Sequence, residues 1–400
     1  MAHALPPLGG LMLALFALAA CTSGDLGLRR TPRLAENVAP AAPTANPNGE
    51  VVGQGQVRLA LLIPKSAPGN AATVAGEIRN GAVLAMQDFG SADLQLVIKD
   101  TAGQAAGAQA AASEAVREGS TAILGPVFAG NVTAASAITQ PAGRTLIAFS
   151  TDTSTARRGV YLLSYTPQED TSRIVSFGIS RGARSILAFL PNNTEGAIRE
   201  AVLKQQAGAG GARVQIVRYD RSVPSIEEAV RNATPLFEGV DAVYIPEGAE
   251  IPNVFMQVMR RTSVDLIGKL IMGSGAWENS SFTEPQLEGA LFPGRDTTKF
   301  ADFAARYETA FGAKPNVWAA LGYDSITLAT DLVRRLGPLD AFKPQSLENP
   351  SGYSGVNGIF RLKGDGTAER GLAIYQVERN GAKRMVSPAP SRFGRTSSLN

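Results

Sequence analysis

The sequence predicts an α/β protein with two doubly wound parallel-sheet lobes around a cleft. Residues 57–64 form a nearly continuous apolar run, which is typical of a strand buried at the centre of a parallel sheet. A similar run, residues 184–191, begins the pattern again, and each run ends in a proline before a polar loop. Ligands bind such sheets at the carboxyl ends of the strands, so two facing lobes would share one cleft.

Strands and helices alternate along both halves of the chain. The first half predicts, in order, strand 57–64, a loop with Ser66, Gly69 and Asn70, a helix that ends near residue 89, strand 94–98, helix 104–117, strand 122–124, helix 132–139 and strand 145–149. The second half predicts helix 171–180, strand 185–190, helix 195–206, strand 214–219, helix 226–237, strand 242–245, helix 253–261 and strand 270–272. Helices 299–311 and 317–336 follow, and strands 358–362 and 372–377 are predicted to pair as a hairpin through the loop Gly364-Asp365-Gly366.

One histidine and one cysteine occur among the 400 residues, and both, His3 and Cys21, lie in a segment with the features of an export signal. The folded part would then contain neither imidazole nor thiol, which excludes Ser/His/Asp and Cys/His catalysis and zinc sites made of these ligands. The sequence has no phosphate-binding or metal-binding motif, so we predict no cofactor and no metal. The net charge of +3 comes without a long basic run, so nucleic acid is not an expected partner.

Residues 8–20 are uncharged and almost wholly apolar, and the segment ends in Leu18-Ala19-Ala20-Cys21. This tetrapeptide resembles the bacterial lipobox, after which the signal is removed and the cysteine carries the lipid. We therefore expect a lipoprotein signal peptide over residues 1–20, with an ordinary cleaved signal as the alternative. The resemblance implies a lipid anchor at Cys21 in the bacterial cell envelope, facing the periplasm, and Thr22 suits the outer membrane. Residues 21–56, rich in Ala, Pro, Asn and Gly, are predicted to be a disordered linker.

The signal, the linker and the two lobes together resemble the type 1 periplasmic binding fold of the leucine/isoleucine/valine-binding proteins over residues 57–388. In that family the chain crosses between the lobes three times. The resemblance therefore implies a first lobe of residues 57–164 and 290–350, a second lobe of residues 165–289 and 351–388, and a flexible tail of residues 389–400.

Within that superfamily the sequence is most similar to the bacterial lipoproteins called penicillin-binding protein activators. The similarity is carried by residues 147–152 and 159–163, and by residues 353–377, where Asn357-Gly358 and Asp365-Gly366 occur in that family's order. The resemblance implies a protein without catalytic activity that promotes peptidoglycan synthesis by contacting a bifunctional penicillin-binding protein.

Amino-acid binders of this fold hold the ligand with hydroxyl and backbone N–H groups from two loops of the first lobe. The first loop has Ala129 and Gly130 where a serine pair would be expected. The second loop offers polar side chains at four positions: Ser150, Thr151, Asp152 and Ser154. An aspartate there would repel a ligand carboxylate unless a cation offsets it. The alternative is that these side chains cap the turn that follows.

Three residues of the second lobe are further cleft candidates. Thr194 lies in a loop where this fold often places an aromatic side chain over the ligand, and no aromatic is present in residues 191–195. Glu247 could pair with a ligand ammonium or be a solvated loop acid. Trp277 could line the cleft or lie in the core.

The main hypothesis is therefore a non-enzymatic, lipid-anchored envelope protein that acts on cell-wall synthesis through a bifunctional penicillin-binding protein. The alternative is the substrate-binding component of an ABC transporter, with an amino acid or a peptide in its cleft. An envelope enzyme that uses a pair of carboxylates is a third class. The Ala129-Gly130 pair and the missing aromatic favour the first hypothesis.

Overall fold

The computed structural model describes residues 46–89 and 93–393. The predicted signal peptide with Cys21, most of the predicted linker and residues 394–400 of the predicted tail lie outside the described residues. The described chain forms two α/β lobes, each built on a largely parallel sheet, which confirms the predicted fold class. No helix within these two ranges is both long enough and apolar enough to cross a bilayer.

The first lobe begins with six strands, which are β1 (Glu50–Val52), β2 (Val57–Ile63), β3 (Leu94–Asp100), β4 (Ala122–Leu124), β5 (Thr145–Ala148) and β6 (Val160–Leu162). They form one sheet in the order β1-β3-β2-β4-β5-β6, parallel throughout except for β1. Helices α1 (Asn70–Asp88), α2 (Ala105–Arg117) and α3 (Ala129–Thr139) connect them. Side chains of β2 enter a hydrophobic cluster on each face, Leu61 on one and Leu62 on the other, so the strand is buried on both sides.

The second lobe repeats this arrangement. Its strands are β7 (Ser185–Pro191), β8 (Arg213–Tyr219), β9 (Ala242–Tyr244), β10 (Leu270–Met272) and β11 (Leu291–Gly294). Helices α4 (Pro167–Ser180), α5 (Thr194–Ala209), α6 (Val223–Ala233) and α7 (Ile251–Arg261) alternate with them. Phe189 and Leu190 of β7 again enter clusters on opposite faces, which is the burial expected of a central strand.

The remaining elements are divided between the two lobes. Helices α8 (Phe300–Phe311), α9 (Val317–Leu336) and α10 (Pro344–Leu347) pack on the first lobe, followed there by the antiparallel strands β12 (Tyr353–Gly355), β13 (Gly358–Leu362) and β14 (Ala368–Arg370). The last strands, β15 (Ala373–Val377) and β16 (Lys383–Ser387), complete the second sheet, whose order is β16-β15-β11-β10-β9-β7-β8.

The lobe boundaries differ from the predicted ones in two places. Residues 291–294, expected in the first lobe, form β11 of the second sheet, because this strand pairs with β10 on one side and β15 on the other. Residues 351–370, expected in the second lobe, belong to the first, because Phe360 and Leu362 are buried in its core. The predicted hairpin is wrong for the same reason: β13 pairs with β14, and the chain crosses to the other lobe before β15.

The predicted linker and tail are also shorter than expected. Residues 50–52 of the predicted disordered linker form β1, which pairs with β3, and Glu50 accepts a hydrogen bond from Arg79 Nε at 2.8 Å. Residues 389–393 of the predicted flexible tail lie against β13, where the Phe393 ring is 4.7 Å from the Arg361 guanidinium. The Glu50–Arg79 ion pair in the first segment and the Arg361–Phe393 cation–π contact in the second help to offset the conformational entropy lost when the backbone is ordered.

Helices α1 and α9 touch through their backbones, and two glycines make this possible. A Cβ atom on Gly81 would overlap the carbonyl oxygen of Ala319, and one on Gly322 would overlap that of Ile78. Because the helices pack this closely, α9 holds α1 against the sheet although the two helices are far apart in sequence.

Replacing Gly81 by alanine is expected to lower the free energy of unfolding by about 1–3 kcal/mol, because the helices must separate to admit the methyl group. Gly76→Ala on the same helix is the matched control, since a Cβ atom there meets nothing within 4 Å. The control should raise stability by roughly 0.5–1 kcal/mol. Urea denaturation measures both changes, and wild-type stability in the Gly81 variant would contradict the backbone contact.

Candidate functional site: a cavity between the lobes

A cavity of 530 Å³ lies between the lobes. Thr151 and Phe300 line it from the first lobe, and Asp170 and Arg199 line it from the second. Its remaining walls include residues of all three chain crossings, with Tyr165 from the first, Arg295 from the second and Leu372 from the third. The cavity therefore sits where a change in the angle between the lobes alters its shape most directly.

A buried arginine organises the second-lobe wall. Arg199 of α5 is 3% exposed, and its Nη1 donates to Asp170 Oδ1 at 2.5 Å while its Nη2 donates to Glu195 Oε1 at 2.8 Å. Asp170 Oδ2 also accepts from the backbone N–H of Gly275 at 3.1 Å. Burial alone would lower the pKa of Arg199, but the negative charge of Asp170, supported by Glu195, raises it. The pair thus connects α4, α5 and the loop after β10.

A second arginine, Arg295, forms an ion pair with Glu278 at the chain crossing after β11. Arg295 Nε donates to Glu278 Oε2 at 2.9 Å and to Oε1 at 3.0 Å. Burial opposes its charge, and the attraction of Glu278 raises its pKa in spite of that. Within the described chain, Arg295 Nη1 is shielded from solvent and has no hydrogen-bond partner. The guanidinium also lies 5.7 Å from the ring of Phe300, so the apolar wall and the charged wall meet here.

Two further polar groups of the wall have no hydrogen-bond partner among residues 46–89 and 93–393: the Tyr165 hydroxyl and both carboxylate oxygens of Glu169. Burial raises the pKa of Tyr165 to about 12 and that of Glu169 to about 8. Nearby Arg370 lowers both pKa values, but its guanidinium stacks on the Tyr165 ring at 4.0 Å. These unsatisfied groups and Arg295 Nη1 are the ones that a bound molecule could satisfy.

Of the residues predicted in the first lobe, Thr151 lines the cavity. Ser150 and Asp152 are used within their own loop: Ser150 Oγ accepts from the Asp152 N–H at 3.2 Å, and Asp152 Oδ1 accepts from the Ser154 N–H at 3.0 Å. These side chains therefore cap their own turn, which is the alternative to a ligand-binding role that the sequence leaves open. Ala129 and Gly130 form the first turn of α3 and are not part of the cavity wall.

The three predicted residues of the second lobe are placed elsewhere. Thr194 is exposed at the start of α5, and the wall position belongs to its neighbour Glu195. Glu247 accepts a hydrogen bond from the Tyr219 hydroxyl, so it is occupied by the protein itself. Trp277 is fully buried in the second-lobe core, where its Nε1 donates to the Glu247 carbonyl at 3.0 Å. The cleft position predicted for Trp277 is wrong because this side chain fills the core, while its neighbours Ala276 and Glu278 line the cavity.

The family of this chain is decided by its sequence as a whole. The family model described as periplasmic binding protein matches residues 56–382. The chain belongs to the periplasmic binding protein family. It has no significant match among proteins of curated function.

Solved structures of binding proteins share the fold. A putative branched-chain amino acid ABC transporter protein of Rhodospirillum rubrum is 18% identical with a TM-score of 0.71, covering 82% of this chain and 99% of that chain. An ABC transporter substrate-binding protein of Desulfitobacterium hafniense in complex with Leu is 17% identical with a TM-score of 0.61, covering 82% and 99%. A solute-binding protein of Rhodopseudomonas palustris in complex with benzoate is 16% identical with a TM-score of 0.55, covering 84% and 97%.

Sequence reasoning missed most of the charged wall of this periplasmic binding protein, namely Glu169, Asp170, Glu195, Arg199, Glu278 and Arg295. One available signal was their position, because several of these residues lie within a few positions of a lobe crossing. The pairing itself was not predictable, since Asp170 and Arg199 are 29 residues apart and lie on different helices.

Replacing Arg199 by methionine is expected to lower the free energy of unfolding by about 3–5 kcal/mol, because Asp170 is left without its buried counter-ion. Arg221→Met is the matched control. Arg221 is exposed and only approaches Glu247, at 3.7 Å, and Glu250, at 3.9 Å, so its loss should cost less than about 1 kcal/mol. Guanidinium denaturation compares the two variants, and equal losses would contradict the structural role of the buried pair.

Proposed function

We propose that this periplasmic binding protein holds a small polar solute in the cavity between its lobes, as the substrate-binding component of an envelope ABC transporter. The observation that supports it most is the cavity itself, which takes its walls from both lobes and from all three crossings. Its volume of 530 Å³ is within the range of pockets that bury a small organic molecule. A solute that touches both lobes stabilises the arrangement in which they are closed.

The chemistry of the wall supports binding of a polar molecule. Arg199 and Arg295 are held by carboxylates of the protein, so the charged wall is organised before a solute arrives. Phe300, Val317 and Leu372 supply an apolar surface beside it. The similar proteins from Desulfitobacterium hafniense and Rhodopseudomonas palustris were solved with Leu and with benzoate. An amino acid, a short peptide or an aromatic acid is therefore the first class of solute to test, and we propose no catalytic step.

The second candidate function is activation of a bifunctional penicillin-binding protein, and one observation favours it. The two segments that resemble the activator family pack on each other: the Leu162 N–H donates to the Gly366 carbonyl at 2.9 Å, and Arg370 Nε donates to the Ser164 carbonyl at 2.8 Å. Beside them, Arg158 is largely exposed and pairs with Glu348 at 3.0 Å. Arg158 and residues 363–365 are exposed beside this contact and outside the cavity wall, so a partner protein could contact them without entering the cavity.

Under either function we propose an envelope protein that faces the periplasm and is anchored in the outer membrane by lipid on Cys21. The support is the tetrapeptide Leu18-Ala19-Ala20-Cys21 after an apolar segment, together with Thr22. Lipid anchoring provides roughly 0.8 kcal/mol for each buried methylene group, so two or more acyl chains hold a protein at a membrane without a spanning helix.

Calorimetric titration of the full chain with L-leucine, dileucine and benzoate tests the transporter function. We expect at least one to bind, and Ala276→Trp to weaken that binding tenfold or more, because Ala276 is an exposed residue of the cavity wall. Ala197→Trp, an exposed residue of α5 outside the wall, is the control and should bind as the wild type does. Absence of binding to every probe, with recovery of a penicillin-binding protein in pull-downs of the lipidated chain, would favour the activator function.

A further inference from the structure

One buried arginine lies between two shielded carboxyl groups where the lobes join. Arg370, at the end of β14, is 6% exposed, and the two acids are Asp324 of α9 and Glu169 of α4. The positive charge of Arg370 lowers the pKa of both carboxyl groups, so each is within its electrostatic reach. Asp324 belongs to the first lobe and Glu169 to the second, so the arginine is placed between a carboxyl group of each lobe.

The two terminal nitrogens of Arg370 are not used by the protein. Its Nε donates to the Ser164 carbonyl at 2.8 Å, and its guanidinium stacks on the Tyr165 ring. Across the part of the chain that the structure describes, Nη1 and Nη2 are shielded from solvent without a hydrogen-bond partner, and Arg370 forms no ion pair. A buried cation without a counter-ion is costly, so a carboxylate that approaches these nitrogens is strongly attracted.

Glu169 is the carboxylate that can approach. Neither of its oxygens has a hydrogen-bond partner among residues 46–89 and 93–393, and both are shielded from solvent. It lies in the first turn of α4 and moves with the second lobe, whereas Arg370 lies in a strand of the first lobe. Asp324 is held within the first lobe, since its Oδ1 accepts from the Val356 N–H at 2.8 Å. The distance between Glu169 and Arg370 therefore depends on the angle between the lobes.

We propose that Glu169 and Arg370 form a latch between the lobes, which closes when the ionised carboxylate pairs with the terminal nitrogens of the arginine and opens when Glu169 is protonated. A carboxylate and a guanidinium can pair through two parallel hydrogen bonds, which fixes their relative orientation as well as their distance. The latch acts on the protein without a solute. The inference thus goes beyond the proposed function and does not depend on it.

The groups around Glu169 determine the direction of the pH dependence. Burial raises its pKa to about 8, with Arg370 and Lys363 opposing the shift and Glu369 and Asp170 adding to it. Pairing with Arg370 favours the ionised form and lowers this pKa. The closed latch therefore binds fewer protons than the open one, so a rise in pH favours the closed latch.

The other titratable groups close to Arg370 ionise outside the same pH window. Burial raises the pKa of Asp324 to about 6 and that of Tyr165 to about 12. The one histidine and the one cysteine of the sequence, His3 and Cys21, both precede the described residues. A change in the angle between the lobes between pH 7 and pH 9 therefore points to Glu169.

Spin labels measure the latch in the absence of a solute. In the full chain with Cys21→Ser, labels at Gly130→Cys and Glu250→Cys occupy exposed positions of opposite lobes. We expect the distribution of distances between the labels to shift from pH 6.5 to pH 9. The midpoint should lie no higher than about pH 8, because pairing itself favours the ionised carboxylate. This measurement needs no change at the latch.

Glu169→Gln keeps the size of the side chain and removes its charge, so it should hold the low-pH distribution at both pH values. Glu200→Gln, a residue of α5 outside the cavity wall, is the control and should keep the shift. A distribution that stays unchanged from pH 6.5 to pH 9 without the Gln substitution would overturn the inference, as would a shift that persists in Glu169→Gln. Both results would leave the proposed function standing, since that function is tested by the binding of a solute.

Discussion

The position of one buried guanidinium determines how the two lobes are joined. Arg370 is 6% exposed and lies at the end of β14, directly before the third crossing. Its Nε donates to the carbonyl of Ser164 in the first crossing, and its plane stacks on the rings of Tyr165, at 4.0 Å, and Phe360, at 5.3 Å. Two of the three connections are thereby held together, so any rotation of the lobes would move them as one unit.

One residue of this junction also lines the cavity. Tyr165 belongs to the first crossing and to the cavity wall, and Glu169 follows it after four residues. Arg295 occupies the corresponding place in the second crossing, where Glu278 holds it. Charged groups of the wall are thus set by the same connections that set the angle between the lobes. A solute that satisfies these groups acts on the hinge directly, which is the physical link between binding and closure.

The alternation of strands and helices could be predicted because it is a local property. The apolar runs that become β2 and β7 are continuous and end in proline. Which sheet a strand joins is not local. Residues 291–294 have the apolar pattern of a strand, but one of their partners, residues 373–377, is far away in sequence. Residues 358–362 pair across a short turn with residues 368–370, and the pattern alone does not distinguish this partner from residues 373–377. The lobe boundaries and the hairpin therefore could not be derived from pattern alone.

The candidate site shows the same division between local and long-range information. The loop at Ser150 is rich in hydroxyls, as a binding loop would be, but its side chains serve mainly to cap their own turn. The sequence allows Trp277 either in the cleft or in the core, and its large apolar ring is fully buried in the core. The wall is made instead by Glu169, Asp170 and the arginines opposite them, whose roles depend on helices that meet only in the folded chain.

Closure of the lobes on a solute is measured most directly by the distance between two spin labels. The single native cysteine can be removed by Cys21→Ser, and labels attached at Gly130→Cys and Glu250→Cys, which are exposed positions after strands β4 and β9 of opposite lobes. If the cavity is the binding site, the distance between the labels shortens when the protein is saturated with L-leucine or another probe that binds. An unchanged distance for a bound probe would contradict it.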